Sequence, residues 1–300
     1  MVETKIINGL KVVINHNRNL TIATLSDNSI EELKQFLINN SEAVVVITPR
    51  DYEQDGFTLD IDTFDILKQF DLKRIIITSG MITIKDISGL YAQKNLTYLD
   101  ISFFTYFDID FSYFKKLEKI SFYWTPGMKN FFSCSTLKDI DIHKYKAPKK
   151  DLAEFSAFPG LQNLWVVQSN IVSIRGIEKL NLLNTLFFSH NTNLEISFSQ
   201  LGFTMPHVED LEIDTCRKID LDFIKIFPNL KRLKLTQFQD IKSLRPILDG
   251  LPKLEELFVG ETKIEESDNA YYANYSNIKR FFFDAKKHHR LKNEDLGKDW

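Results

Sequence analysis

The residues best spaced to do chemistry are Asp139-x-Asp141-x-His143. In an extended chain alternate residues share a face, so these three side chains would project together as candidate metal ligands. Neighbours on one strand face stand about 7 Å apart, however, wide for one small ion. The triplet therefore reads as a solvated polar row suited to recognising a basic side chain. The remaining histidines are scattered at His16, His190, His207, His288 and His289, the last two within a basic KKHHR tail. Cys134 and Cys216 have no histidine beside them in sequence and read as buried, inert thiols. No two glycines stand two residues apart, which excludes GxGxxG, and the phosphate-binding P-loop, HExxH, CxxC and GxSxG patterns are absent. The expectation is a protein with no catalytic residues, no metal and no cofactor.

Composition narrows the class further. The chain has 300 residues, 43% hydrophobic and 26% charged, enough to build a full core. Its 41 acids and 38 bases leave a net charge of −3, too balanced for a chain whose main task is neutralising phosphates. Two cysteines fit a reducing compartment, the apolar runs are too short to span a membrane, and the N-terminal stretch lacks a secretory pattern. These features predict a cytoplasmic protein with neither nucleic acid nor membrane as partner. Glycine, at 11 residues against 25 phenylalanines, argues against cofactor folds that depend on glycine loops.

The elements that must position any site come from a repeat. A pattern apolar-x-x-apolar-x-apolar recurs as Leu72/Ile75/Ile77, Leu96/Leu99/Ile101, Leu117/Ile120/Phe122, Leu137/Ile140/Ile142 and Leu161/Leu164/Val166. It continues as Leu183/Leu186/Phe188, Val208/Leu211/Ile213, Leu230/Leu233/Leu235, Leu254/Leu257/Val259 and Ile278/Phe281/Phe283. Successive first anchors lie 20 to 25 residues apart. The last two anchors of each triplet have period two and face one side of a short strand. Such a strand cannot bury that side alone, whereas stacked neighbours share a continuous core. The return segments, such as Ile219–Phe227 and Ile241–Leu251, carry apolar residues at three- to four-residue steps, as short helical turns do.

The spacing resembles that of the leucine-rich repeat family, LxxLxLxxNxL, most closely in LQNLWVVQSNIVSIRGIEKL from residue 161. The polar position eight residues after the first anchor is Thr125, Ser169, Asn191, Cys216 or Thr262 in five repeats, types able to satisfy the backbone where a strand turns. Elsewhere it is Gly80, Phe104, Tyr145, Phe238 or Lys286, so the repeats are degenerate. The resemblance covers about residues 72–285. It implies an α/β leucine-rich repeat solenoid, a curved horseshoe with a parallel concave β-sheet and short helical or 3-10 convex segments. It also implies a non-enzymatic, protein-binding role. The Phe- and Lys-rich repeats look like those of bacterial members, which suggests an immunity protein neutralising a toxin by occlusion. The alternative is an effector or adaptor scaffold that recruits a host or cellular protein.

The predicted organisation is an N-terminal cap over residues 1–43, repeats over 44–285 and a capping tail over 286–300. In the cap, Lys5–Ile14 reads as a strand and Ser29–Ile38 as a helix, with Ser29 as N-cap and Glu32 three residues on. In the tail, Leu291 and Trp300 are expected to fold over the exposed edge. Between and just after the anchors, residues point out of the sheet. Those positions gather Tyr98, Phe103, Tyr123, Trp124, Trp165 and Phe187, flanked by Asp100, Asp139, Asp141, His143, Asp210, Glu212 and Asp214. Exposed aromatics of this kind anchor interfaces. Acids outnumber bases on these positions, which predicts a protein partner with a basic and apolar contact surface, bound by a chain that is monomeric on its own.

Overall fold

Anchors this closely spaced leave room for four or five extended residues before the chain must turn, and the strands have that length. The computed structural model describes residues 2–25, 30–47, 65–77, 86–101 and 108–296. All ten anchor triplets are buried, none of their side chains more than 2% exposed. The chain divides into two compact units, Met1–Ile140 and Asp141–Trp300. No helix among the described residues is long and apolar enough to cross a membrane.

The first unit contains β1 (Val2–Ile7), β2 (Leu10–Asn15), β3 (Leu20–Leu25), β4 (Val44–Ile47), β5 (Arg74–Ile77) and β6 (Tyr98–Ile101). It continues with β7 (Ile109–Asp110), β8 (Lys119–Tyr123) and β9 (Met128–Lys129). Its sheet runs β1-β2-β3-β4-β5-β6-β8. The β1–β2 and β2–β3 pairings are antiparallel, and the later ones are parallel. Strands β7 and β9 form a separate small parallel pair.

The cap differs from the single strand expected over Lys5–Ile14. Asn8 and Gly9, with φ of 51° and 89°, turn that segment into a β1–β2 hairpin. Two consecutive left-handed residues define the tight turn whose twist suits a hairpin, and Asn-Gly is its favoured sequence. Helix α1 (Ile30–Asn39) follows β3, with Glu31 and Glu32 in its first turn and Leu33 buried. Carboxylates there complement the positive end of the helix dipole. Ser29, the expected cap residue, lies outside the described residues. Before the short helix α2 (Ser88–Tyr91), the chain from η-type turns at Asp65–Gln69 packs around a buried amide, Gln93. Gln93 accepts from the Leu72 N–H at 2.8 Å and donates to the carbonyls of Leu67 and Gly89 at 2.7 and 2.9 Å. A buried amide so fully paired fixes the loop rather than straining it.

Strand β10 (Asp139–His143) crosses the division between the units. The second unit then places β11 (Asn163–Val167), β12 (Thr185–Ser189), β13 (Asp210–Asp214), β14 (Arg232–Thr236), β15 (Glu256–Gly260) and β16 (Arg280–Phe283) in chain order, parallel and in register. The returns are 3-10 turns and two short helices, α3 (Phe198–Leu201) and α4 (Arg245–Gly250).

The exits from β10, β11, β12, β13, β14 and β15 turn in the same way. Lys144, Gln168, His190, Thr215, Gln237 and Glu261, each seven residues after a first anchor, have φ between 46° and 55°. A left-handed residue at that point swings the chain out of the sheet. The next residue turns inward and holds the preceding rung. Asn191 accepts from the Ser169 N–H at 2.8 Å and donates to the Val166 carbonyl at 2.7 Å. Ser169 Oγ accepts from the Tyr145 N–H at 3.0 Å, and Thr262 Oγ1 from the Phe238 N–H at 3.0 Å.

The edge of β16 is closed by the tail. Asn293 accepts from the Phe283 N–H at 3.1 Å and donates to the Phe283 carbonyl at 2.8 Å, imitating one further strand residue. Asn269 makes the same pair of bonds to Leu291, at 2.7 and 3.0 Å. Trp300 lies outside the described residues.

Candidate functional site

Side chains between the anchors form rows, because parallel strands in register bring equivalent positions side by side. In the second unit the middle row runs Trp165, Phe187, Glu212, Lys234, Phe258 and Phe282. The row before it runs Asn163, Thr185, Asp210, Arg232, Glu256 and Arg280, and the row after it Val167, Ser189, Asp214, Thr236 and Gly260. Trp165 and Phe187 therefore stand directly opposite one another on adjacent strands, both half-buried.

Phe258 and Phe282 occupy the same row beyond the two strands that carry Glu212 and Lys234, with ring centroids 4.7 Å apart and planes 12° from parallel. The Lys234 ammonium sits 5.6 Å from the Phe258 centroid, a cation over a ring face. Gly260 makes room for that ring, since a Cβ there would come within 2.4 Å of it. These two rings were not among the expected anchors, although their position, four residues after a first anchor, is that of Trp165 and Phe187.

The carboxylates of these rows are already engaged. Asp210 is bonded by Arg232, Glu212 lies 2.6 Å from Lys234, and Glu256 lies 3.3 Å from Arg280. Along the margin just before the strands, Glu209 pairs with Lys231 at 2.8 Å and Glu255 with Lys279 at 2.7 Å. The lysine bonds hold both of these carboxyls below their usual pKa range. Exposed pairs such as these add little stability, yet they neutralise the charge the surface presents. Three carboxylates of these rows, Asp210, Glu212 and Glu256, thus have a base one strand away.

Asp214 illustrates the local chemistry. Ser189 Oγ donates to Asp214 Oδ2 at 2.7 Å and lies 2.7 Å from His190 Nδ1. A hydroxyl has one proton, and with it committed to Asp214 the histidine nitrogen must be the donor to Ser189. That is the reverse of a nucleophile presented to a base, so this Ser-His-Asp group reads as a polar knot that ties two strands together. Nearby, His143 Nε2 lies 3.1 Å from Asp141 Oδ1. Among the described residues no group of three or more His, Cys, Asp or Glu side chains could hold a metal ion. Burial pushes the Cys134 thiol up to about 11 and the Cys216 thiol up to about 12, which leaves both protonated and unreactive near neutrality.

In the first unit Tyr98 lies between two cations, with Arg74 and Lys119 each 5.6 Å from its ring centroid, and its hydroxyl is 3.4 Å from Asp100. Asp100 is opposite Ser121 on β8. Tyr123 ends β8, and Asp139 begins β10. Trp124, one residue beyond β8, is half-buried as Trp165 is, with its ring 6.1 Å from Phe131 and from Phe132 and 6.3 Å from Phe122. It braces the return segment. Phe103 lies outside the described residues.

No protein-family model matches the sequence, and no curated protein matches it. Solved structures do. An internalin from Listeria monocytogenes is 18% identical, covering 74% of this chain and 70% of its own with a TM-score of 0.46. A chain of the Toll–Spatzle complex from Drosophila is 13% identical, covering 92% of this chain and 50% of its own, at 0.49. A leucine-rich repeat protein from Leptospira interrogans is 14% identical, covering 80% and 78%, at 0.39. At such identities the likeness is one of fold and carries nothing about partner or role.

Proposed function

We propose that this chain, which has the leucine-rich repeat fold, works by binding another protein on the outward rows of its parallel strands. The observation that supports this reading is the Trp165–Phe187 pair, two large half-buried rings side by side on adjacent strands and bordered by polar rows. Rings in such a setting gain most when a partner removes their remaining surface from water. The partner that fits is a protein with an apolar projection. Its rim would carry charges of both signs, because Asp210, Glu212 and Glu256 already have cations beside them. A basic group on the partner would be received best near Asp214, whose carboxylate is met by Ser189, His190 and Thr215.

In this reading the protein is cytoplasmic, carries out no reaction and acts by occlusion, as an immunity protein does when it neutralises a toxin. Among the described residues of these rows the Ser189, His190 and Asp214 group is not arranged as a nucleophile with its base, which favours a role by covering over a role by reaction. The test is recovery of a partner from source-cell extract on immobilised protein, identified by mass. The Trp165→Ala/Phe187→Ala variant, with an unchanged circular dichroism spectrum, is expected to recover at least about tenfold less, since central interface rings each contribute on the order of 2 kcal/mol. Equal recovery would remove the outward rows of the second unit as the binding surface. Occlusion predicts that the recovered partner loses its own activity on stoichiometric addition of this protein. A partner that stays active in the complex would assign the adaptor role instead.

A further inference from the structure

Strand β1 ends the sheet of the first unit. Its hydrogen-bonded neighbour is β2, and no described strand pairs with its other side. On this strand Val2 is 63% exposed and Ile6 62%, an unusual display on an edge that natural sheets ordinarily protect.

The hairpin settles which backbone groups face outward. The two-residue turn at Asn8-Gly9 makes Ile7 and Leu10 its flanking pair, joined as the first hydrogen-bonded pair of the ladder. Such pairs alternate along an antiparallel ladder, so Ile7, Lys5 and Glu3 direct their N–H and C=O groups toward β2. Val2, Thr4 and Ile6 direct theirs away from it. The open side of β1 is therefore a three-residue hydrogen-bonding edge.

That edge is complementary to itself in a single register. Outward groups can meet outward groups of an antiparallel second copy only when the paired residue numbers have an even sum. Centring on Glu3 would oppose Glu3 to Glu3, and centring on Lys5 would oppose Lys5 to Lys5, each a like-charge contact that destabilises a ladder. Centring on Thr4 opposes Val2 to Ile6, Glu3 to Lys5 and Thr4 to Thr4. It uses every outward group, matches apolar with apolar, and places each carboxylate against an ammonium in the closer, non-hydrogen-bonded pairs. At present Glu3 is occupied within its own chain, 3.1 Å from Lys5 and 3.5 Å from His16, so the exchange would replace one set of ion pairs by another.

We propose that β1 pairs antiparallel with β1 of a second copy of this chain about a twofold axis through Thr4, giving a homodimer. The arrangement is isologous and closes on itself, so it adds one copy and stops. A pairing of two six-residue strands is small, which makes the dimer weak and concentration-dependent. It revises the monomer expected from sequence and does not depend on the proposed binding rows of the second unit.

Sedimentation velocity up to about 200 µM tests it, in the range where small interfaces populate. The wild-type mass is expected to rise from 35.0 kDa toward twice that value. Glu3→Lys gives Lys against Lys, and Lys5→Glu gives Glu against Glu, so each variant alone is expected to dimerise at least about tenfold more weakly. Mixed in equal amounts, those two variants should pair with each other, and Glu3→Lys/Lys5→Glu in one chain should restore self-association. Each variant is first matched to wild type by circular dichroism. A wild-type mass that stays at one chain throughout would overturn the proposal, as would a dimer indifferent to Glu3→Lys or a mixture of the single variants that remains monomeric. Pairing of β1 only with an extended segment of some other protein would appear as the first of these results.

Discussion

The two units hold their strands by different means. In the second, chain exits are tied by hydrogen bonds: a left-handed residue turns the backbone, and Ser169, Asn191 or Thr262 takes up an N–H of the preceding rung. In the first, the exit after β8 is packed by rings. Phe122 lies 5.7 Å from Phe111 and 4.8 Å from Phe131, and Trp124 covers the outer side of the same cluster. Six successive exits share near-identical φ values, two of them followed by the rings of Tyr145 and Phe238. Rings tolerate several arrangements, and the chain after β8 proceeds through the small β7–β9 pair before its next 3-10 turn. One solenoid pattern thus has two ways of closing a rung.

Substitutions can break this contrast. The largest effect is expected from Phe122→Ala, which empties a fully buried ring site and should cost about 3–5 kcal/mol in denaturant unfolding. Phe122→Leu, which restores most of the volume, should recover the greater part of that loss, because a packed cluster asks for shape rather than for a particular bond. Asn191→Ala comes next, at roughly 2–4 kcal/mol, by leaving the Ser169 N–H and the Val166 carbonyl buried without their partner. Here Asn191→Leu should recover nothing, and amide exchange at Ser169 should accelerate in both variants. Full stability in Asn191→Leu would erase the distinction between the units.

The smallest effect concerns the C-terminal closure and sharpens the hydrogen-bonded side. His289 is 4% exposed; its Nδ1 accepts from the Lys286 N–H at 2.9 Å, and its Nε2 lies 3.2 Å from the Ile264 carbonyl. Those bonds require the neutral ring with its proton on Nε2. Burial lowers its pKa from the ordinary value, the Ile264 carbonyl opposes the shift, His288 and Lys292 add to it, and Glu266 opposes it. The unfolded chain therefore takes up this proton first as pH falls. The contribution of His289 is complete above about pH 6.5 and is lost below it. Thermal unfolding between pH 5 and 7 should show this slope, and His289→Gln should flatten it.

The repeat was legible because burial follows periodicity directly: every triplet from Leu72/Ile75/Ile77 to Ile278/Phe281/Phe283 is in the core. The polar role of Ser169, Asn191 and Thr262 was legible for a related reason, since a turn always leaves backbone groups to be satisfied. The Asn8-Gly9 hairpin was hidden by alternation that continues through it, so that two strands read as one. The neutralised rows were hidden more deeply. Asp210 and Arg232 are 22 residues apart, and only the in-register pairing of β13 with β14 brings them together. Trp124 stands one residue beyond a strand, where the rule that assigns faces by alternation no longer applies.

The six left-handed residues carry a consequence of their own. Glycine would serve best at such a φ, yet the positions hold Lys144, Gln168, His190, Thr215, Gln237 and Glu261. Three of them are joined edge to edge, Thr215 donating to Gln237 at 3.1 Å and Gln237 to Glu261 at 2.6 Å. Each contributes a side chain outside the hydrophobic spine at a place where the backbone path is already decided. Such a margin can be rewritten residue by residue without disturbing the fold, and so offers mutation a ready route from one recognised molecule to the next.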